Sequence, residues 1–195
     1  MTTPPSRFPV PALAALPEDM RSRILEVQAR SGFVPNVFLA LSHRPDEWRA
    51  FFAYHDALML KTGGHLTKGD REMIVVATSA ANDCLYCVVA HGAILRIYEK
   101  KPLVADQVAT NWRKADITPR QRAMLDFALK VCLRSGEIGE ADYAALREHG
   151  LDDEDAWDII AITAFFGMSN RMANGIGMLP NDEFYLMGRV PKTKG

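Results

Sequence analysis

Cys84, Cys87 and His91 stand at positions i, i+3 and i+7. On an α-helix, at about 100° per residue, Cys87 lies about 300° and His91 about 340° around from Cys84, so the three share a narrow arc. Cysteines three apart suit the roughly 4.4–6.8 Å Cα separation of a disulfide, so this dithiol can close and reopen without large backbone movement. Cys87 and His91 are i,i+4 neighbours, which brings an imidazole beside a thiol. The imidazole can take the thiol proton and hold the thiolate as an ion pair. Asp83 reads as the N-cap of this helix, placing both cysteines in about its first turn. There, free N–H groups and the positive end of the helix dipole stabilise a thiolate.

Glu72 is the fourth candidate. If the helix before Asn82-Asp83 folds back on the one after it, Glu72 lies about ten residues before the turn and His91 about eight after it. With a rise of about 1.5 Å per residue the two sit at similar heights. A carboxylate beside an imidazole fixes its tautomer and raises its basicity, so Glu72–His91–Cys87 forms a candidate proton relay. Burial beside Met73, Ile74 and Val75 biases Glu72 further toward proton exchange. Tyr86, between the cysteines, points away from Cys87 on an ideal helix, and lines the same pocket only if the first turn is irregular.

The elements that must position these residues are all helical. A first helix runs from about Pro17 to Ser31, closed by Gly32. Gly32 to Phe38 reads as an apolar connector, and Pro45 heads a second helix that Gly63-Gly64 stops. Thr67 caps a third helix, with Asp70 in its first turn, reaching about Ala81; its unbroken apolar run Met73–Ala77 predicts burial on most sides. The cysteine helix follows and ends before Pro102. Further helices are predicted over 103–112, from Thr118-Pro119 to about Arg134, and from Gly139-Glu140 to His149 with Gly150 as stop. A long apolar helix capped by Asp152 reaches about Asn174. Period-two alternation is absent, so the fold class is all-α. Thr67, Arg71, Met73 and Ala77 recur 51 residues later as Thr118, Arg122, Met124 and Ala128, which raises a duplicated helical hairpin whose second copy lacks the cysteines.

The rest of the 195-residue chain narrows the class. Five of the eleven prolines fall in the first seventeen residues, so 1–16 reads as an extended arm, 17–179 as one helical domain and 180–195 as a tail. With 23 Lys+Arg against 24 Asp+Glu there is no global basic field, and nucleic acid is not an expected partner. Ile159–Phe166 is apolar but too short to span a bilayer, and the opening residues lack the pattern of a secretory leader, so a cytoplasmic protein without a membrane partner is expected. Three cysteines are too few for a disulfide scaffold. In that compartment a reactive disulfide is less unusual than a structural one.

Arg71-Glu72-Met73-Ile74-Val75-Val76-Ala77, followed by Asn82-Asp83-Cys84-Leu85-Tyr86-Cys87-Val88-Val89-Ala90-His91-Gly92, resembles the core motif of the AhpD-like, carboxymuconolactone-decarboxylase-type alkylhydroperoxidases, and within them the peroxidase-related branch. Gly32–Phe38 and the Pro45-headed helix also resemble the family's upstream segment, so the likeness spans roughly 17–175. The resemblance implies an AhpD-like helical bundle that assembles as a homo-oligomer (dimer, trimer or hexamer). It implies a thiol-dependent peroxidase in which Cys87 attacks the hydroperoxide, Cys84 resolves the sulfenic acid to a disulfide, Glu72 and His91 relay protons, and an external dithiol reduces the product. No motif points to haem, flavin or metal. One departure stands out: Tyr86 occupies the position where well-characterised members carry histidine.

Two readings of other classes stay open. One is a cofactor-free acid–base enzyme of the carboxymuconolactone decarboxylase type, which does not need the cysteine pair. The other is a non-catalytic, metal-stabilised oligomeric scaffold with Cys84, Cys87, His91 and Glu72 as ligands, although three ligands on one helix fit structural zinc poorly. The bland reading of Glu72 is a surface pair with Lys68. Cys132 reads as core packing. His55, on an aromatic helix face, reads as helix packing or pocket border. Asn170-Arg171 interrupts an apolar helix and reads as a salt-bridged structural element, or as facing the site or an interface. The stripe from Phe165 to Met178 reads as core or subunit contact.

Overall fold

The computed structural model describes residues 4–189. They form ten α-helices: α1 (Glu18–Ser31), α2 (Asn36–Ala40), α3 (Pro45–Met59), α4 (Lys68–Ala81), α5 (Leu85–Glu99), α6 (Val104–Asn111), α7 (Pro119–Arg134), α8 (Glu140–Glu148), α9 (Asp153–Gly175) and α10 (Glu183–Leu186). Among the described residues there is no strand, and no helix is long and apolar enough to cross a membrane. The all-α expectation holds.

The bundle is built around α4. Every residue of it from Gly69 to Ser79 is buried, and α5, α6, α7 and α9 pack on it. Thr67 starts it with a capping box: its side chain accepts from the Asp70 N–H, and Asp70 accepts from the Thr67 N–H, both at 3.0 Å. Asp70 also accepts from Arg120 Nη1 (2.9 Å) and Gln121 Nε2 (3.1 Å), which ties the start of α4 to α7. Thr118 heads α7 with the same kind of box, using Gln121. This is where the 51-residue echo is visible. Beyond it the two segments differ: α4 turns tightly into the fifteen-residue α5, whereas α7 passes through a 3-10 turn into the nine-residue α8.

Several predicted boundaries shift for physical reasons. Asp83 is not the N-cap of the cysteine helix; it sits at φ 53°, in the left-handed region. The Cys84 N–H donates to Ser79 O (2.9 Å) and the Asp83 N–H to Ala80 O (3.1 Å), the hydrogen bonds of a Schellman motif, so Asp83 closes α4. Cys84 is therefore the N-cap of α5, outside the helix, and Cys87 its third residue. The second predicted helix ends at Met59, before the glycines. Gly63 and Gly64, at φ 88° and 77°, instead turn the loop so that buried Arg71 reaches Lys61 O (2.7 Å). The apolar connector contains α2.

Both chain ends lie against the body over the described residues. The Arg7 N–H donates to Ile176 O (3.0 Å), and Ser6 and Leu16 are buried. The predicted tail over 180–195 differs more: Phe184 is buried edge-on against Phe33, with ring centroids 5.0 Å apart. Buried Arg96 of α5 donates to Phe184 O and Met187 O, each at 2.8 Å. An apolar residue every few positions was too sparse a signal to foretell this docking. Residues 1–3 and 190–195 lie outside the described residues.

Asp70 serves the α4 cap and the α7 contact together, so Asp70→Ala removes both and leaves Arg120 without its buried partner. Chemical denaturation should show a loss of about 2 kcal/mol, below the value for a wholly buried pair because Arg120 is part-exposed.

Candidate functional site

The tight α4–α5 turn makes the two helices antiparallel neighbours, and the expected meeting of Glu72 and His91 occurs. His91 Nδ1 lies 2.7 Å from Glu72 Oε2, with both side chains largely buried. A carboxylate only accepts, so the His91 proton sits on Nδ1 and Nε2 is left for other chemistry. The Phe166 ring meets His91 edge to face (centroids 4.8 Å apart, planes at 83°) and holds the imidazole in place. Lys68, the alternative partner of Glu72, lies instead over the Tyr98 ring.

Cys84 and Cys87 are both buried and both free thiols. The Cys84 thiol is pulled down from its ordinary 9.0 to about 7, chiefly by the hydrogen bond from the Cys87 thiol. Burial opposes the shift, while the Cys87 amide, the Asn170 side chain and the His91 charge support it. Cys87 is pushed up well above its ordinary value, first because its proton is held by Cys84 and then by burial. The two sulfurs thus share one proton, and the pair carries a single negative charge near neutral pH.

Only Cys87 of the two lines the neighbouring cavity, a space of about 280 Å³. His91 lines it too, with His55, Tyr86 and Ser169 among otherwise mostly apolar walls such as Phe38, Phe52 and Phe166. Tyr86 also borders this space, from within the α-helical first turn of α5. Its hydroxyl accepts from the Val37 N–H at 3.2 Å, and so closes the free N-terminal end of α2. Burial pushes the Tyr86 phenol up, which keeps it neutral.

Other residues reach the thiols from α9. Asn170, fully buried, donates to Ser79 Oγ (2.9 Å) and accepts from Asn82 Nδ2 (3.0 Å). Its side chain also favours the charged form of both cysteines, and Ser169 does the same for Cys87. Asn170 therefore faces the site, while its neighbour Arg171 donates to the Gly167 carbonyl of its own helix and has no ion pair among the described residues. A polar pair inside an apolar helix was the signal in the sequence; its direction was not. Cys132 is half-buried and accepts from Asn82 Nδ2 at 3.5 Å, so it has a polar neighbour that its sequence context does not show. Phe165 and Phe166 are core, and Met168 is exposed.

A zinc centre would need its donor atoms gathered. Among the described residues, the one group of three His, Cys, Asp or Glu ligand atoms within 4.8 Å of one another is His65, Asp152 and Asp155, away from the cysteines. Cys84, Cys87 and His91 do not converge that closely.

Fold and site together define an all-helical protein whose buried CxxC pair adjoins a carboxylate–histidine pair at the edge of an apolar cavity. The comparisons place it further. The profile described as the Carboxymuconolactone decarboxylase family matches residues 45–102. The crystal structure of an alkylhydroperoxidase AhpD core, an uncharacterized peroxidase-related protein from Ralstonia eutropha JMP134, is 81% identical over 98% of this chain and 100% of that one, with a TM-score of 0.96. An uncharacterized peroxidase-related protein from Silicibacter sp. TM1040 is 41% identical over 97% and 100%, with a TM-score of 0.90. The debrominase Bmp8 in its apo form, 20% identical over 88% and 90% with a TM-score of 0.69, shares the fold alone. No curated protein matches. The chain belongs to the AhpD-like, carboxymuconolactone-decarboxylase-type family, among its peroxidase-related members.

The thiolate is the form that reacts with an alkylating agent, so reactivity falls as pH drops through the pKa of the pair. Iodoacetamide modification should rise about tenfold per pH unit up to about pH 7 and then level off, where an ordinary thiol keeps rising toward pH 9. Asn170→Ala removes a contact that favours the charge and should move the inflection upward.

Proposed function

We propose that this chain is a cysteine-based peroxidase that reduces a hydroperoxide through a Cys84/Cys87 dithiol–disulfide cycle. The observation that carries the reading is the shared opening of Cys87 and the Glu72-bound His91 onto one cavity, with the Cys84 thiol hydrogen-bonded to Cys87. At rest the negative charge of the pair lies toward Cys84. Access decides the nucleophile: a peroxide in the cavity meets Cys87, and the proton that Cys87 holds passes to His91 as the sulfur attacks.

The product of that attack is Cys87 sulfenic acid and water or an alcohol. The Cys84 thiolate then attacks the Cys87 sulfur, the hydroxyl leaves and takes a proton from solvent to become water, and the disulfide closes. An external dithiol returns the pair to thiols by exchange. Tyr86 takes no part in proton transfer here: its hydroxyl is occupied at Val37 and its proton is held tightly. His91 and Glu72 carry that duty.

Self-association has a surface available. Tyr54 within α3, Leu60 just beyond its end, and Trp157 and Met168 of α9 are large apolar side chains exposed to solvent. Their exposure supports a homo-oligomer.

Thiol titration before and after one equivalent of cumene hydroperoxide tests the cycle. The wild type should lose two thiols, with peptide mapping joining Cys84 to Cys87. Cys84→Ser should retain a Cys87 sulfenic acid that dimedone captures. Full peroxidase turnover by Cys87→Ser would sink the mechanism. Glu72→Gln removes the charge behind His91, and the rate of disulfide formation should fall by roughly 10²-fold, within the range of acid–base assistance.

A further inference from the structure

Two carboxylate–histidine pairs belong to this cavity, and the cycle above uses one. The second is on α3, where His55 Nδ1 lies 3.0 Å from Asp56 Oδ1. Asp56 is held in turn from α1: Arg23 Nη2 lies 2.8 Å from Oδ2 and 3.0 Å from Oδ1. The Arg23 guanidinium is seated over the Phe52 and Trp48 rings, 4.9 and 5.7 Å from their centroids. His55 itself is walled by Phe52, Phe165 and Phe166. Phe166 also packs on His91, so one ring seats both imidazoles.

The two pairs differ in charge. Glu72 has His91 as its one hydrogen-bonded side-chain partner among the described residues, whereas Asp56 divides its charge between His55 and Arg23. Burial is the chief influence on His55 and pushes its pKa down; the His91 charge acts the same way, and Asp56 and Glu72 oppose it. His55 is therefore neutral at pH 7, with its proton on the nitrogen that faces Asp56. Nε2 keeps a lone pair and has no protein partner among the described residues. His55 lines the cavity that Cys87 and His91 line.

We infer that His55 is a further catalytic residue, whose Nε2 accepts the O–H of the bound hydroperoxide and turns the O–O axis toward the Cys87 sulfur. This role rests on the peroxidase reading. The Cys87 thiolate gives its electron pair to the hydroxyl oxygen, an S–O bond forms and the O–O bond breaks. The departing alkoxide takes from His91 the proton that Cys87 gave up. The hydroxyl hydrogen stays on the new sulfenic acid, still directed at His55. Sulfur is oxidised and peroxide reduced by the same two electrons, and both histidines end in their starting protonation states. An imidazolium at position 55 would lack the lone pair that the step needs.

The test compares two reactions of Cys87 in single turnover: disulfide formation with cumene hydroperoxide, and alkylation by iodoacetamide, which has no O–H to orient. His55→Phe should slow the peroxide reaction by roughly tenfold or more, the worth of one well-placed hydrogen bond, and leave alkylation unchanged. His55→Gln, whose amide oxygen can accept, should recover part of the loss. A His55→Phe variant that meets peroxide at the wild-type rate overturns the role. So does parallel slowing of both reactions in the Phe and Gln variants, because that marks packing rather than orientation. A wild type that forms no disulfide with peroxide overturns the peroxidase reading itself, and this role with it.

Discussion

A carboxylate on the most buried helix of a bundle has to be paired, and in this protein His91 pairs Glu72. Taking an unpartnered carboxylate out of water costs several kcal/mol, more than the surrounding apolar contacts of α4 offer at any single position. The 2.7 Å contact between Glu72 and His91 meets that demand and, by doing so, sets how α5 lies on α4. A helix translated by one turn would separate the two groups by about 5 Å and strand the charge. The same contact orients the imidazole that Cys87 adjoins. Site and fold therefore share one requirement.

The turn between the two helices meets it with few residues. Asp83, in the left-handed region, lets the Cys84 and Asp83 amides satisfy the last carbonyls of α4, and the chain reverses at once. Cys84 is consequently held by the backbone at the N-cap, while Cys87 is one helical turn inside and beside the cavity. The pair is unequal by construction. One sulfur is enclosed among Asn170 and backbone groups that favour its charge, and the other borders the space where a substrate can enter. A nucleophile needs access and a resolving thiol needs proximity, which is the division of labour the two positions offer.

Polar groups brought from distant parts of the chain complete the arrangement. Asn170 joins Asn82 and Ser79 across 88 and 91 residues of sequence, and Asn36 and Asn181 are bonded across 145. Arg96 fastens the C-terminal segment so that Phe184 and Met187 wall the cavity opposite α3. These bonds satisfy buried donors and acceptors, and each limits the ways in which neighbouring helices can slide. The cavity is what remains between α1, α2, α3, α5, α9 and this strap.

What lies close along the chain was legible in the residues themselves. The phase of Cys84, Cys87 and His91, the caps at Thr67, Thr118 and Asp152, and the height match of Glu72 with His91 follow from helical period and rise, which are the same in every protein. Asp83 shows the edge of that reasoning. An aspartate suits both an N-cap and a left-handed helix end, and the length of the turn, not the residue type, chose the second. The tertiary structure alone decided that Asn170 faces the thiols, that Tyr86 closes α2, that His55 joins His91 around one ring and that the C-terminal segment walls the cavity. Each depends on which helices pack together and at what rotation, and that is set by burial summed over the whole chain rather than by any local spacing.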